Sequence, residues 1–258
     1  MVVTFGIVIA LAAAVRSTWS PCGLSMLSQI TPVAETGRQQ RFGRTAAWFV
    51  VGAVLGGLTL GLVVAAGAGV LGAVGLGEGT AVGLVAVGAF ASAAVDARLF
   101  GFGPPFFRRQ VNEDWLSNYR PWVYGGGFGW QIGAGVTTYV MTAAVPLMIL
   151  IGVLTGRPWA AVAIGGVFGL TRGLPVLLGA PAKTVPALHA LHRRFSTWSE
   201  PVRVIVIGVQ LAVAVTAAWR ATAPLGALVV AVGGIAVGGI AVVASTRESR
   251  RSRMAEIV

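Results

Sequence analysis

The chain offers few side chains that can do chemistry. Its single cysteine, Cys22, closes the run Trp19-Ser20-Pro21-Cys22 and lies six residues after Arg16. A thiolate can attack a disulfide, but a second thiol must resolve the mixed disulfide that results. Redox work through Cys22, with Pro21 beside it, therefore needs a thiol from outside: a thioredoxin-like protein, a second copy of the chain or a small thiol. A neighbouring cation favours the thiolate, and Arg16 stands near enough in sequence to supply one. Packed without such a partner, the same cysteine is a small apolar filler.

Arg16 and Arg172 both interrupt long apolar stretches. A guanidinium at the centre of a bilayer costs ~3 kcal/mol on insertion scales, so each needs a polar partner or a route to the interface along its own stem. Brought together with Trp19, Ser20, Gln131 and Thr138, the two would suit a small anion, because a guanidinium is a planar fork of donors that keeps its charge. His189 and His192 stand three apart, a spacing that can hold a metal on one helical face, but no further ligand accompanies them. No metal and no cofactor are expected.

Membrane helices must position these residues. Of 258 residues, 56% are hydrophobic and only 10% charged, too little polar surface to clothe a water-soluble globule. Eight acidic residues and two histidines also argue against a soluble hydrolase or oxidoreductase. The net charge of +11 falls in short clusters between apolar runs, as juxtamembrane charges do, and not along one face as in a nucleic-acid reader. The expected partner is a lipid bilayer, and no nucleic acid. Thirty-seven glycines fit the same picture, since small residues let membrane helices approach closely.

A span takes about 20 apolar residues. There are 33 uncharged residues between Arg44 and Glu78, 17 between Glu78 and Asp96, and 36 between Arg120 and Arg157. Seven spans are expected, near 3–33, 45–68, 72–95, 122–153, 158–180, 201–220 and 222–245. The first is longer than a straight span needs and is expected to break around Ser20-Pro21-Cys22-Gly23, where Pro21 removes a backbone donor. Ala12-Ala13-Ala14 resembles a signal cleavage site, but no positive charge precedes the apolar stretch, so a retained span is expected.

With the amino terminus outside, fifteen of the nineteen Lys and Arg residues fall on the inner side, from Arg38 through the tail at Arg247–Arg253. Only Arg157 and Arg220 fall outside, and that asymmetry sets the expected orientation in the cell membrane, with the carboxyl terminus cytoplasmic.

The two halves echo one another. A shift of 111 places Trp19 on Trp130, Cys22 on Gly133 and Trp48 on Trp159; a shift of 113 places Gly43-Arg44 on Gly156-Arg157. Repeats of three spans must run antiparallel to each other. The expected fold is an all-α polytopic membrane protein of two inverted three-helix repeats, 1–98 and 122–220, joined by a cytoplasmic loop at 99–121. A seventh helix at 221–246 and a basic tail at 247–258 follow.

Trp19-Ser20-Pro21-Cys22, followed by apolar residues, resembles the opening of the CcdA and DsbD transmembrane family, of the LysE-like transporter superfamily. The run Gly125-Gly126-Gly127-Phe128-Gly129-Trp130 and the later Gly173-Leu174-Pro175-Val176-Leu177-Leu178 resemble that family's second half-repeat. The resemblance covers roughly residues 5 to 220. It implies thiol-disulfide exchange of the kind used in cytochrome c biogenesis, with two cysteines taking electrons from cytoplasmic thioredoxin to an extracytoplasmic thiol. The second cysteine is missing, because the matching stretch reads Trp130-Gln131-Ile132-Gly133. Two functions follow. One is a carrier of thiol reducing equivalents through Cys22 with an external partner thiol. The other is a transporter of a small anion or thiol-reactive solute through a cavity lined by Arg16 and Arg172. A non-transporting scaffold for an assembly complex is the third reading.

Overall fold

A computed structural model describes residues 1–99, 104, 119–135 and 138–221. The expected seventh helix, the basic tail and most of the 99–121 loop lie outside the described residues. The rest is helical: α1 Val2–Ser17, α2 Pro21–Gln29, α3 Pro32–Gly37, α4 Phe42–Val74, α5 Glu78–Asp96, α6 Pro121–Ala134, α7 Ala144–Leu154, α8 Pro158–Gly173, a 3₁₀ turn Leu174–Gly179, α9 Val185–Thr197 and α10 Ser199–Ala221. Among the described residues four helices are long and apolar enough to cross a membrane, and a fifth span forms if the bent pair α1–α2 counts as one. The chain is an all-helical, multi-pass membrane protein.

Local chemistry sets the helix ends. Ser20 Oγ accepts a hydrogen bond from the Gly23 backbone N–H at 3.2 Å, and Pro21 occupies the first helical position, where its missing N–H costs nothing. This start signal arrives three residues after α1 ends, and the two axes meet at 66°. The break expected at Ser20-Pro21 therefore forms. Thr31 caps α3 and Thr184 caps α9 in the same way. Gly75, in the left-handed region with φ 73°, ends α4.

Three expected spans differ from the structure. The span expected at 45–68 is α4, which runs 33 residues to Val74, ~50 Å at 1.5 Å per residue, so the next, expected from 72, begins at Glu78. The expected span 122–153 is two helices, α6 and α7, with a non-helical stretch between. Gly135, with φ 69° and ψ −46°, leaves helical space, and residues 138–142 are not helical. Asp96 and Thr142 then cap a fresh start: Asp96 Oδ1 accepts from the Ala143 N–H at 2.8 Å, and Thr142 Oγ1 accepts from the Ala144 N–H at 3.1 Å. Pro146 sits in the first turn of α7, where proline is tolerated.

Helix α4 is the centre of the molecule. It runs parallel to α6, with Thr45, Phe49 and Ala53 facing Gly125, Gly129 and Gly133 in turn. It runs antiparallel to α8, with Gly57 facing Gly165 and Gly169, and Gly61 facing Val162. These backbones touch. A Cβ on Gly133 would lie 2.0 Å from the Ala53 carbonyl oxygen, and one on Gly57 would lie 2.2 Å from that of Gly165. Small-residue spacing at every fourth position makes such approach possible in a membrane, where apolar side chains gain little by leaving lipid. Helix α10 lies antiparallel along α5, with Gln210 reaching Ser92 and Arg203 reaching the Asp96 carbonyl.

Candidate functional site

Cys22 is the second residue of α2 and is fully buried. Its surroundings are apolar: Met26, Leu27, Phe49, Phe128, Ile132 and Val176 belong to the same cluster. The Arg172 guanidinium is within electrostatic reach of the thiol. Arg172 is the penultimate residue of α8, only 3% exposed, and donates from Nη1 to Thr138 Oγ1 at 3.4 Å. Thr138 in turn donates to the Gly135 carbonyl at 3.2 Å. The guanidinium carbon lies 5.6 Å from the centroid of the Phe168 ring, a cation–π distance. Among the described residues its buried Nη2 has no hydrogen-bond partner.

Three interruptions of regular helix meet here: the α1–α2 bend, the α6–α7 break and the switch from α8 to 3₁₀ after Gly173. Non-helical backbone at such depth needs protein around it, and each break is enclosed. A Cβ on Gly23 would lie 2.0 Å from the Thr18 carbonyl oxygen, and one on Gly135 would lie 2.6 Å from the Phe168 ring. The site thus holds a thiol, a buried cation and a spare donor against fixed walls.

The other predicted residues fall around it. Ser20 and Pro21 build the start of α2, as their cap geometry shows. Trp19 stacks on Phe195 with ring centroids 4.3 Å apart and donates from Nε1 to the Phe195 carbonyl at 2.7 Å, tying α9 to the bend. Gln131 is half-buried on α6, one turn before Gly135. His192 meets Ser28 Oγ at 3.2 Å. Among the described residues no group of three His, Cys, Asp or Glu could hold a metal.

Arg16 does not join Arg172, which corrects the expectation of one cavity lined by both. It is buried, with Nη1 donating to Ser199 Oγ at 3.5 Å, and it feels Glu200, Asp96, Arg203 and Arg98. The physical reason is the bend: α1 presents Arg16 to α5 and α10, while Cys22, past the turn, faces α4 and α6. A cavity of about 20 Å³ lies among Arg16, Asp96, Arg98, Met141 and Arg203, room for about one water.

Sequence reasoning missed two buried carboxylates. In the sequence Asp96 stands out only as the end of the uncharged interval that follows Glu78. It is 5% exposed and accepts from Thr142 Oγ1 at 2.5 Å, the Ala143 N–H at 2.8 Å and Gln210 Nε2 at 2.9 Å. Glu35 is fully buried and accepts from Thr45 Oγ1 at 2.5 Å, Tyr124 OH at 2.8 Å and Arg38 Nη1 at 3.0 Å. The i,i+3 pair Glu35–Arg38 was visible in the sequence; the reach of Tyr124 and Gln210 was not.

The chain is 35% identical over 193 residues to the methylamine utilization protein MauF of Paracoccus denitrificans, covering 71% of this chain and 68% of the relative. The chain belongs to the MauF family. It is 35% identical over 168 residues to MauF of Paracoccus versutus, covering 65% of this chain and 61% of the relative. It is 31% identical over 184 residues to MauF of Methylorubrum extorquens, covering 69% of this chain and 63% of the relative. The chain spans about three fifths to two thirds of the length of these MauF relatives. No family model and no solved structure matches it.

Proposed function

We propose that this chain serves methylamine utilization, the process for which its relatives are named, by passing thiol reducing equivalents across the membrane through Cys22. The supporting observation is the juxtaposition of the only cysteine with the buried Arg172 at the meeting of three helix breaks.

The step balances with two external partners. The Cys22 thiolate attacks a partner disulfide, forming a mixed disulfide and releasing one partner thiolate, which takes up a proton. A second, thioredoxin-like dithiol attacks the Cys22 sulfur of the mixed disulfide and releases the partner's other thiol; its second thiol then displaces Cys22 and closes the dithiol's own disulfide. Two electrons move from the dithiol to the original disulfide. Because Cys22 is buried, the exchange requires the α1–α2 bend to open. The scaffold proposed for it is the inverted pair 1–98 and 122–220 that the CcdA and DsbD resemblance implies, with the amino terminus outside. In favour of that pairing, the leading span of each half is broken, α4 runs antiparallel to α8, and α5 runs antiparallel to α10.

A trapping experiment tests the reading. A thioredoxin lacking its resolving cysteine should capture the chain as a disulfide-linked species that is lost in Cys22→Ser, and Cys22→Ser should fail to restore growth on methylamine to a host lacking its own MauF. Full rescue by Cys22→Ser, with no trapped species, overturns it. The unpartnered Arg172 Nη2 favours a second reading, passage of a small anion. In that case anion uptake into vesicles falls in Arg172→Ala while Cys22→Ser transports normally.

A further inference from the structure

A groove of about 480 Å³ opens between the amino-terminal ends of α4 and α6, lined by Gln40, Arg44, Trp48, Arg120, Pro121 and Trp122. It is separate from the Cys22 site. The two helices run parallel and touch at Thr45 and Gly125, so their first turns lie side by side. The lining carries two arginines and no acid; Glu35, the nearby carboxylate in sequence, is buried against Arg38, Thr45 and Tyr124. Arg44 donates from Nη2 to Gln40 Oε1 at 2.8 Å. Trp48 is 43% exposed and Trp122 is 56% exposed.

Position identifies the ligand. Arg44 is the last charge before 33 uncharged residues, and Arg120 the last before 36, so the groove stands where two apolar runs enter the bilayer. Indole rings collect at that depth, with the apolar ring toward the chains and the N–H toward the headgroups. Neither helix start is capped by a side chain, so their positive ends add to the two guanidiniums. We propose that this groove is a binding site for the phosphate headgroup of an anionic phospholipid, held by Arg44 and Arg120 with the acyl chains lying along Trp48 and Trp122. A free phosphate compound shares the charge but gains nothing from the two indoles, so the lipid is the occupant argued for.

The experiment uses the full chain purified in mild detergent, with phosphatidylglycerol, phosphatidylcholine or inorganic phosphate added. Bound lipid is counted by native mass spectrometry, and thermal unfolding is read in parallel. Wild type should retain phosphatidylglycerol in preference to phosphatidylcholine. The double variant Arg44→Ala/Arg120→Ala should weaken that binding by roughly 10- to 30-fold, the effect of two basic residues at a membrane surface. Trp48→Ala/Trp122→Ala should weaken both lipids alike. Arg157→Ala, which removes one exposed charge near the far end of α4, is the control and should bind phosphatidylglycerol as wild type does. Single variants Arg44→Lys and Arg120→Lys keep the charge and serve if the alanine pair does not fold; each should retain most of the preference. Equal binding of the two lipids, a loss in Arg157→Ala as large as in the arginine pair, or stabilisation by inorganic phosphate without lipid preference overturns the proposal.

Discussion

Buried charge in this molecule follows a simple residue-level rule: each buried carboxylate is surrounded by donors. Glu35 receives hydrogen bonds from Tyr124, Thr45 and Arg38, and removing it would strand three buried or half-buried groups at once. Glu35→Ala should therefore lower stability by about 3–5 kcal/mol, the cost of breaking a buried pair from one side. Tyr124→Phe removes one donor from an otherwise satisfied carboxylate and should cost only about 1 kcal/mol. Thermal unfolding of both variants in one detergent checks the ratio, and equal losses would mean that the phenol, not the carboxylate, holds α3 to α6. Among the described residues the buried atoms without a hydrogen-bond partner are Arg172 Nη2, Ser17 Oγ and Gln210 Oε1.

At the scale of elements, backbone contact between glycines decides the packing. Gly133→Val would drive side-chain atoms into the Ala53 carbonyl, and no rotamer change relieves a clash with backbone. The variant should lose at least about 3 kcal/mol, the upper range for overpacking, and should extract poorly. Gly43→Ala, where an added methyl meets nothing within 4 Å, should behave as wild type. Expression and melting temperature of the two side by side make the comparison. The bend between α1 and α2 depends on contact of the same kind: Gly23→Ala places a methyl against the Thr18 carbonyl and should open or shift the bend. Faster alkylation of Cys22 in Gly23→Ala than in wild type would register that change.

The whole molecule hides its only thiol. Maleimide should modify Cys22 in folded protein at least about 100-fold more slowly than in denatured protein, since an opening free energy of ~3 kcal/mol gives that factor. A mass-shift time course measures it, and rapid labelling of the folded chain would contradict a sealed site. Much of this architecture could be read before any coordinates. Hydropathy and the uncharged intervals gave a multi-pass helical chain, and Ser20-Pro21 marked the first break, because capping and proline chemistry are local. Gly135, followed by Val136-Thr137-Thr138 and later by Pro146, carries a weaker signal for the second break, because in an unbroken apolar interval the pattern fits one long span.

Composition and local pattern alone thus determined that the chain lives in a membrane, where its first helix bends, and that Cys22, Arg16 and Arg172 need partners. Tertiary structure decided which partners they have. Arg172 came within electrostatic reach of the thiol, while Arg16 went to Ser199, Asp96 and Glu200, because the 66° bend points residues 16 and 22 toward different neighbours. Sequence spacing fixes the face of one helix, but the choice of neighbour depends on how closely whole backbones can approach, and here glycine contacts distributed along α4, α6 and α8 set that distance.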